Sequence, residues 1–464
     1  MSVLDFLVQH VPEVAGPSQK RLAFKEKLKW TTVILVLFFT LSLVPLFGLG
    51  ANALQRFEFI SVILGASFGS ILSLGIGPLV TASIVLQLLN GAGILKFDTT
   101  TPEGKKKFQG IQQLTSIAFI IFEAAIYVYM GGLAPAPDLI GTTLYTQLQL
   151  LLIVQLFLGG FLVMLMDQIV SKWGFGSGIS LFIAAGVSQS IFIRGLSPLP
   201  SPTTPGIATG AIPALVQSLI AGDPQTAALM LAGVVATIVI FVIAVYLQAM
   251  KVEIPLSFGR VRGYGIRWPL NFVYTSNMPV ILVSALLANM QLWGNLLQNW
   301  GYPIFGTFVN GQATSGLVLW LTPVNIVGNL IKGSLRLIDV GHAFVYITFL
   351  IIGAVVFSWF WVQTSGMDAR SQAKQMLASG LQIPGFRRDE RVLEKILDRY
   401  IGPLTVMGAI SVGFLAGMAD ISGALTHGTS LLLTVMIVYR MYEDIARQHM
   451  MDMNPMMRKF MGGE

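Results

Sequence analysis

The chain has 464 residues, 54% of them hydrophobic and only 11% charged, with a formal net charge of +7. Soluble domains carry about 25% charged residues, so this chain could not cover a water-facing surface with polar groups. It has no cysteine, which excludes disulfides and thiolate metal sites, and His10, His342, His427 and His449 show no ligand spacing.

Residues 1–29 read as a cytoplasmic amphipathic segment. They lack the early basic region and apolar run of a cleavable signal peptide. A helix needs ~20 largely apolar residues to cross the hydrocarbon core. On that basis ten spans are predicted, near 30–49, 72–95, 111–130, 144–166, 179–194, 227–249, 272–292, 342–362, 401–419 and 428–446. The fold class is therefore an all-α polytopic membrane protein.

Two apolar stretches fall short of spans. Phe57 to Leu64 is too short and is followed by GASFGS at 65–70, which suits a re-entrant or buried segment. The stretch 317–331 is interrupted by Pro323 and carries Asn325 and Asn329. Charge decides this second case. With ten spans and both termini inside, only Arg56, Arg194, Lys332 and Arg336 of the 29 basic residues fall outside. Counting 317–331 as a span would place the basic cluster of 370–399 outside, against the positive-inside rule.

The inner loops 251–271 and 364–400 are longer and more basic than connectors require. One reading is an orientation signal with attraction to anionic lipid. The other is docking of a large anionic partner such as ribosomal RNA, with Arg260, Arg262, Arg267, Arg387 and Arg388 as contacts.

Ionisable groups inside spans are costly and mark function by default. Glu123 is the clearest, whereas Asp167, Lys172, Asp420 and Glu443 sit near span ends, where water is close. No paired intramembrane aspartates or Ser–His pair are legible, which argues against an enzyme, and no cofactor is called for. Thr81 and Asn277 are neutral groups whose plain role is interhelical hydrogen bonding. Glycines 75 and 77 with Pro78 open the second span, and glycines 174, 176 and 178 precede the fifth. Such breaks survive in bilayers where freed backbone faces protein or water. Ile76 and Val80, and Ile179 and Ile183, repeat at i, i+4 and share helix faces.

Across nearly the whole chain these segments resemble the SecY/Sec-alpha family, the central subunit of the protein-conducting channel, and look most like its archaeal members. The carrying motifs are FKEKLKWT (24–31), LGIGPLVTASIVLQLL (74–89), VSKWGFGSGISLFIAAGVSQ (170–189) and VEIPLSFGRVRG (252–263). FVYTSNMPVIL (272–282), DRYIGPLTVMGA (398–409) and LLLTVMIVYRMYE (431–443) continue in family order.

The resemblance implies two pseudo-symmetric halves, 30–194 with spans 1–5 and 227–446 with spans 6–10. Between them lies an external loop, 195–226, and a cytoplasmic tail follows at 447–464. It implies a re-entrant plug at about 56–70, including Phe57, Phe59, Val62, Leu64, Gly65 and Gly69. It places an apolar constriction on Ile76, Val80, Ile179, Ile183, Ile281 and Leu433, and a lateral-gate polar cluster on Thr81, Glu123 and Asn277.

The implied function is translocation of unfolded secretory polypeptides across the cell membrane, with sideways release of transmembrane segments into membrane lipid. The implied partners are SecE/gamma and Sec-beta subunits, the ribosome, signal sequences and nascent polypeptides. A secondary solute transporter with inverted repeats is the alternative reading.

Overall fold

A backbone inside a bilayer has no water to bond, so apolar runs close their hydrogen bonds as helices. The computed structural model describes residues 12–18, 22–50, 69–91, 94–95, 102–129, 131–200, 207–258, 265–275, 278–299, 301–309, 312–378, 381–382 and 389–453. A helix lies in each of the ten predicted segments. These are α1 (Phe24–Ser42), α2 (Gly77–Gly91), α3 (Pro102–Tyr129), α4 (Thr143–Trp173) and α5 (Gly178–Leu196). After the short α6 (Ala211–Ile220) come α7 (Pro224–Ala249) and α8 (Met278–Asn299). Two short helices, α9 (Gly316–Trp320) and α10 (Ile326–Ile331), precede α11 (Leu337–Thr364). The chain continues through α12 (Ala369–Ala378), α13 (Glu390–Ile421) and α14 (Gly428–Met453). Six of these, in α3, α4, α5, α7, α11 and α13, are long and apolar enough to cross a membrane.

The description all-α needs correction. Within 251–271, β1 (Lys251–Phe258) and β2 (Gly265–Asn271) pair antiparallel. The strand β3 (Leu381–Gln382) pairs on the other edge of β1. Register sets Val252 opposite Leu270 and Ile254 opposite Trp268. Apolar residues thus share one face, with Ile254 and Leu270 buried and Glu253 exposed on the other. This is the alternation a half-buried strand requires.

Three boundaries also shift. The first helix begins at Phe24, six residues before the predicted span, and ends ahead of Pro45. The predicted loop 364–400 contains α12 and the first turns of α13, where Leu393, Leu397 and Ile401 are buried at helical spacing. Asp389 caps α13, its carboxylate accepting from the Arg391 amide at 2.9 Å. The segment 195–226 holds α6, whose buried Ala211, Ala214 and Ser218 line one face. The stretch 317–331 forms parts of α9 and α10, each too short to cross.

Two compact units divide the chain. One comprises residues 1–189, 309–312 and 437–464; the other comprises 190–308 and 313–436. In the first, α2, α3 and α4 enclose a core of Leu74, Leu79, Ile120, Leu152, Leu156 and Met164. Phe38 of α1 stacks on Phe182 of α5 with ring centroids 4.7 Å apart. In the second, the sheet packs with α12 and the foot of α13 around Ile254, Leu270, Met376, Leu393 and Leu397. The Tyr274 hydroxyl donates to the Met367 carbonyl at 2.7 Å, fastening the segment before α8 to the turn after α11.

Candidate channel-lining and gate residues

Ile76 is the residue before α2, and its carbonyl accepts from the Leu79 and Val80 amides at 3.1 Å. It is buried, and Val80, one turn on, is half-buried. The fifth span begins after a tight turn in which Gly176 has φ +69°. The Phe175 amide donates to the Thr31 hydroxyl at 3.1 Å, and the Ile179 amide donates to Asp167 Oδ1 at 2.8 Å. Ile179 is half-buried and packs against the core containing Leu74 and Leu79; Ile183 is buried. Ile281 on α8 is half-buried and Leu433 on α14 is buried, both in the second unit.

The polar gate residues partly come together. Thr81 of α2 and Glu123 of α3 are hydrogen-bonded through their side chains. The Thr81 hydroxyl also reaches the Gly77 carbonyl at 2.9 Å. Asn277 lies outside the described residues. A second polar pair ties the same two helices, Gln112 Nε2 donating to Ser83 Oγ at 3.1 Å.

Of the plug residues, Phe57, Phe59, Val62, Leu64 and Gly65 lie outside the described residues. Gly69 is described, at φ +88°. Its carbonyl accepts from the Leu46 amide at 2.8 Å, and the Ile71 amide donates to Val44 at 3.0 Å. Pro45 and Ser70 form an antiparallel bridge. Residues 44–46 and 69–71 therefore lie side by side.

Arg260, Arg262, Arg387 and Arg388 likewise lie outside the described residues. Arg267 is exposed on β2, paired with Glu253 at 2.9 Å.

Two carboxylates near span ends have a role that the sequence does not show: Asp167 and Asp420 each bind backbone of the following helix. The Asp420 side chain is 4% exposed, its Oδ1 accepting from the Gly428 amide at 2.7 Å and its Oδ2 from the Tyr346 hydroxyl at 2.7 Å. The aspartates stand eleven and eight residues before the helix starts they bind, so no local capping pattern announces them.

Glycine-opened helices, apolar side chains at their first turns and a sparse polar cluster define a polytopic helical membrane protein built around neutral surfaces. No group of acidic, His or Cys residues suited to a metal occurs among the described residues. The SecY family profile matches residues 70–442, and the chain belongs to that family. It is 47% identical over 456 residues to the protein translocase subunit SecY of Methanothermobacter thermautotrophicus, covering 97% of each chain. Its fold matches a structure described as that of a protein conducting channel, with a TM-score of 0.80, 42% identity and 96% of each chain covered. It also matches Sec61 in the canine ribosome-channel complex from the endoplasmic reticulum, with a TM-score of 0.77, 41% identity and 96% of each chain covered.

Proposed function

We propose that this chain passes unfolded secretory polypeptides through a constriction formed by Ile76, Val80, Ile179, Ile183, Ile281 and Leu433. Membership in the family makes the chain a protein-translocating membrane channel, not an enzyme, and the solute-transporter reading finds no support. The observation that carries the constriction is the placing of Ile76 immediately before α2 and of Val80, Ile179 and Ile183 on the opening turns of α2 and α5. Branched apolar walls resist wetting and ions, and they offer no charge or hydrogen bond to hold a moving chain.

The chain comprises the halves 30–194 and 227–446, with both termini on the cytoplasmic side of the cell membrane. Thr81, Glu123 and Asn277 tune a seam that opens sideways when a hydrophobic signal sequence offers apolar surface to it and to lipid. The segment 56–70 blocks the outer side; the pairing of residues 44–46 with 69–71 supports a segment that enters and returns rather than spans. The loops 251–271 and 364–400 receive the ribosome through Arg260, Arg262, Arg267, Arg387 and Arg388; a ribosome as partner is supported by the likeness to Sec61 in a canine ribosome-channel complex. SecE/gamma and Sec-beta complete the channel.

Replacing Ile76, Ile183 and Ile281 with Gly tests the constriction. Resting ion conductance in planar bilayers rises if these side chains form the seal, and parental conductance from the inserted triple variant contradicts it.

A further inference from the structure

Each of the two units contains a helix that carries proposed constriction residues and starts abruptly after a tight turn. In the first unit this is α5, with Ile179 and Ile183; in the second it is the start of α14, with Leu433. The first amides of a helix have no intrahelical acceptor. In α5 the first turn closes with the Leu181 amide on the Ser177 carbonyl, and in α14 with the Leu431 amide on the His427 carbonyl. The amides before these need partners from elsewhere.

Both helices solve this with the same two parts. The first residue of each is a glycine pressed onto the preceding long helix. A Cβ on Gly178 would stand 2.5 Å from the Asp167 Cα, and one on Gly428 would stand 2.0 Å from the Ala416 carbonyl oxygen. An aspartate of that preceding helix then accepts the free amides. Asp167 of α4 binds the Gly178 and Ile179 amides, the latter at 2.8 Å. Asp420 of α13 binds the Gly428 amide at 2.7 Å. A carboxylate at a helix N-terminus also meets the positive end of the helix dipole.

In each unit a further helix braces the turn or the aspartate. Thr31 of α1 accepts the Phe175 amide in the turn before α5. Tyr346 of α11 donates to Asp420, and His427 Nδ1 lies 3.7 Å from it. Ile179 therefore carries an anchored amide itself, Ile183 stands one turn beyond, and Leu433 stands five residues beyond Gly428.

We propose that Asp167 and Asp420 are matched positioning residues, one in each unit, that set the axial height and rotation of the constriction side chains. This rests on the constriction reading above. A one-residue slip of either helix start would turn its side chains by about 100° and move them about 1.5 Å along the axis. A narrow apolar ring does not tolerate that.

The test uses the full channel complex in planar bilayers. Asp167→Ala and Asp420→Ala remove the acceptor, whereas Asp167→Asn and Asp420→Asn keep a carbonyl oxygen in place. The alanine variants are expected to raise resting conductance to a level between the parent and Ile179→Gly/Ile183→Gly. The asparagine variants are expected to restore the parental seal, whereas Asp167→Leu and Asp420→Leu, which fill the space without an acceptor, are expected to leak as the alanines do; a seal restored by leucine assigns the effect to packing and overturns the positioning role. If the isoleucine variants leak and both alanine variants stay sealed, the constriction stands and the positioning role is overturned. If the isoleucine variants themselves stay sealed, the constriction reading fails and takes the role of the carboxylates with it.

Should an alanine variant fail to insert, hydrogen exchange in the unmodified channel decides. Protection of the amides of Gly178, Ile179 and Gly428 supports the anchors, and exchange at the rate of free amides overturns them.

Discussion

At the scale of single residues, the bond between Thr81 and Glu123 is the described part of the gate cluster. Interhelical polar contacts in membranes contribute about 0.6–2 kcal/mol. Thr81→Val keeps the shape and removes the hydroxyl. A loss of about 1 kcal/mol from the closed state is a factor of about 5 in its population. Export of a substrate with a defective signal sequence is expected to rise by about that factor, and unchanged export at equal expression counts against a gating role. Thr81 and Glu123 were legible because they sit in motifs that resemble the family's. Asp167 and Asp420 were visible as acids near span ends, but their function depends on a turn that brings a distant helix start to each carboxylate. Sequence spacing carries no trace of that fold-back.

At the scale of elements, the foot of α13 shows how a basic segment hides a helix. Leu393, Leu397 and Ile401 repeat every four residues and are buried against the sheet and α12. The charges of ERVLEKILDRY lie between them, so the stretch reads as a polar loop when judged by composition alone. The strand pair was obscured in the same way, because Pro255 and Pro269 sit within it while Val252, Ile254, Trp268 and Leu270 carry the alternation. Leu397 is fully buried. Leu397→Ala is expected to cost about 2–5 kcal/mol locally, through lost transfer energy and a cavity. Limited proteolysis of the 364–400 segment is expected to speed up and ribosome cosedimentation to weaken. Normal ribosome binding with accelerated proteolysis separates this small core from docking.

At the scale of the whole molecule, composition was the legible part: a helix lies in each apolar run that the sequence marks as a span. The reach of the tight turns and the inner sheet lay beyond composition, since both depend on contacts between distant segments. Reversing charge at Arg262, Arg387 and Arg388 is expected to weaken ribosome cosedimentation and steepen its salt dependence, because fewer phosphate contacts remain. Unchanged binding at physiological salt leaves these residues a role in topology alone.

The outer segment makes a separate prediction. Residues 69–71 pair with 44–46, so a deletion should stop short of them. Removing 57–65 is expected to leave a folded channel with higher resting ion conductance, and conductance no higher than the parent's contradicts a sealing role.

The most direct measurement places a photo-crosslinker at Ile76 and at Ile281 in the channel and stalls a secretory nascent chain within it. Val242 on α7, which is 59% exposed, serves as the control. The account predicts crosslinks to the nascent chain from positions 76 and 281 and none from 242. Crosslinks from Val242 with none from Ile76 or Ile281 would place the polypeptide path elsewhere and contradict it.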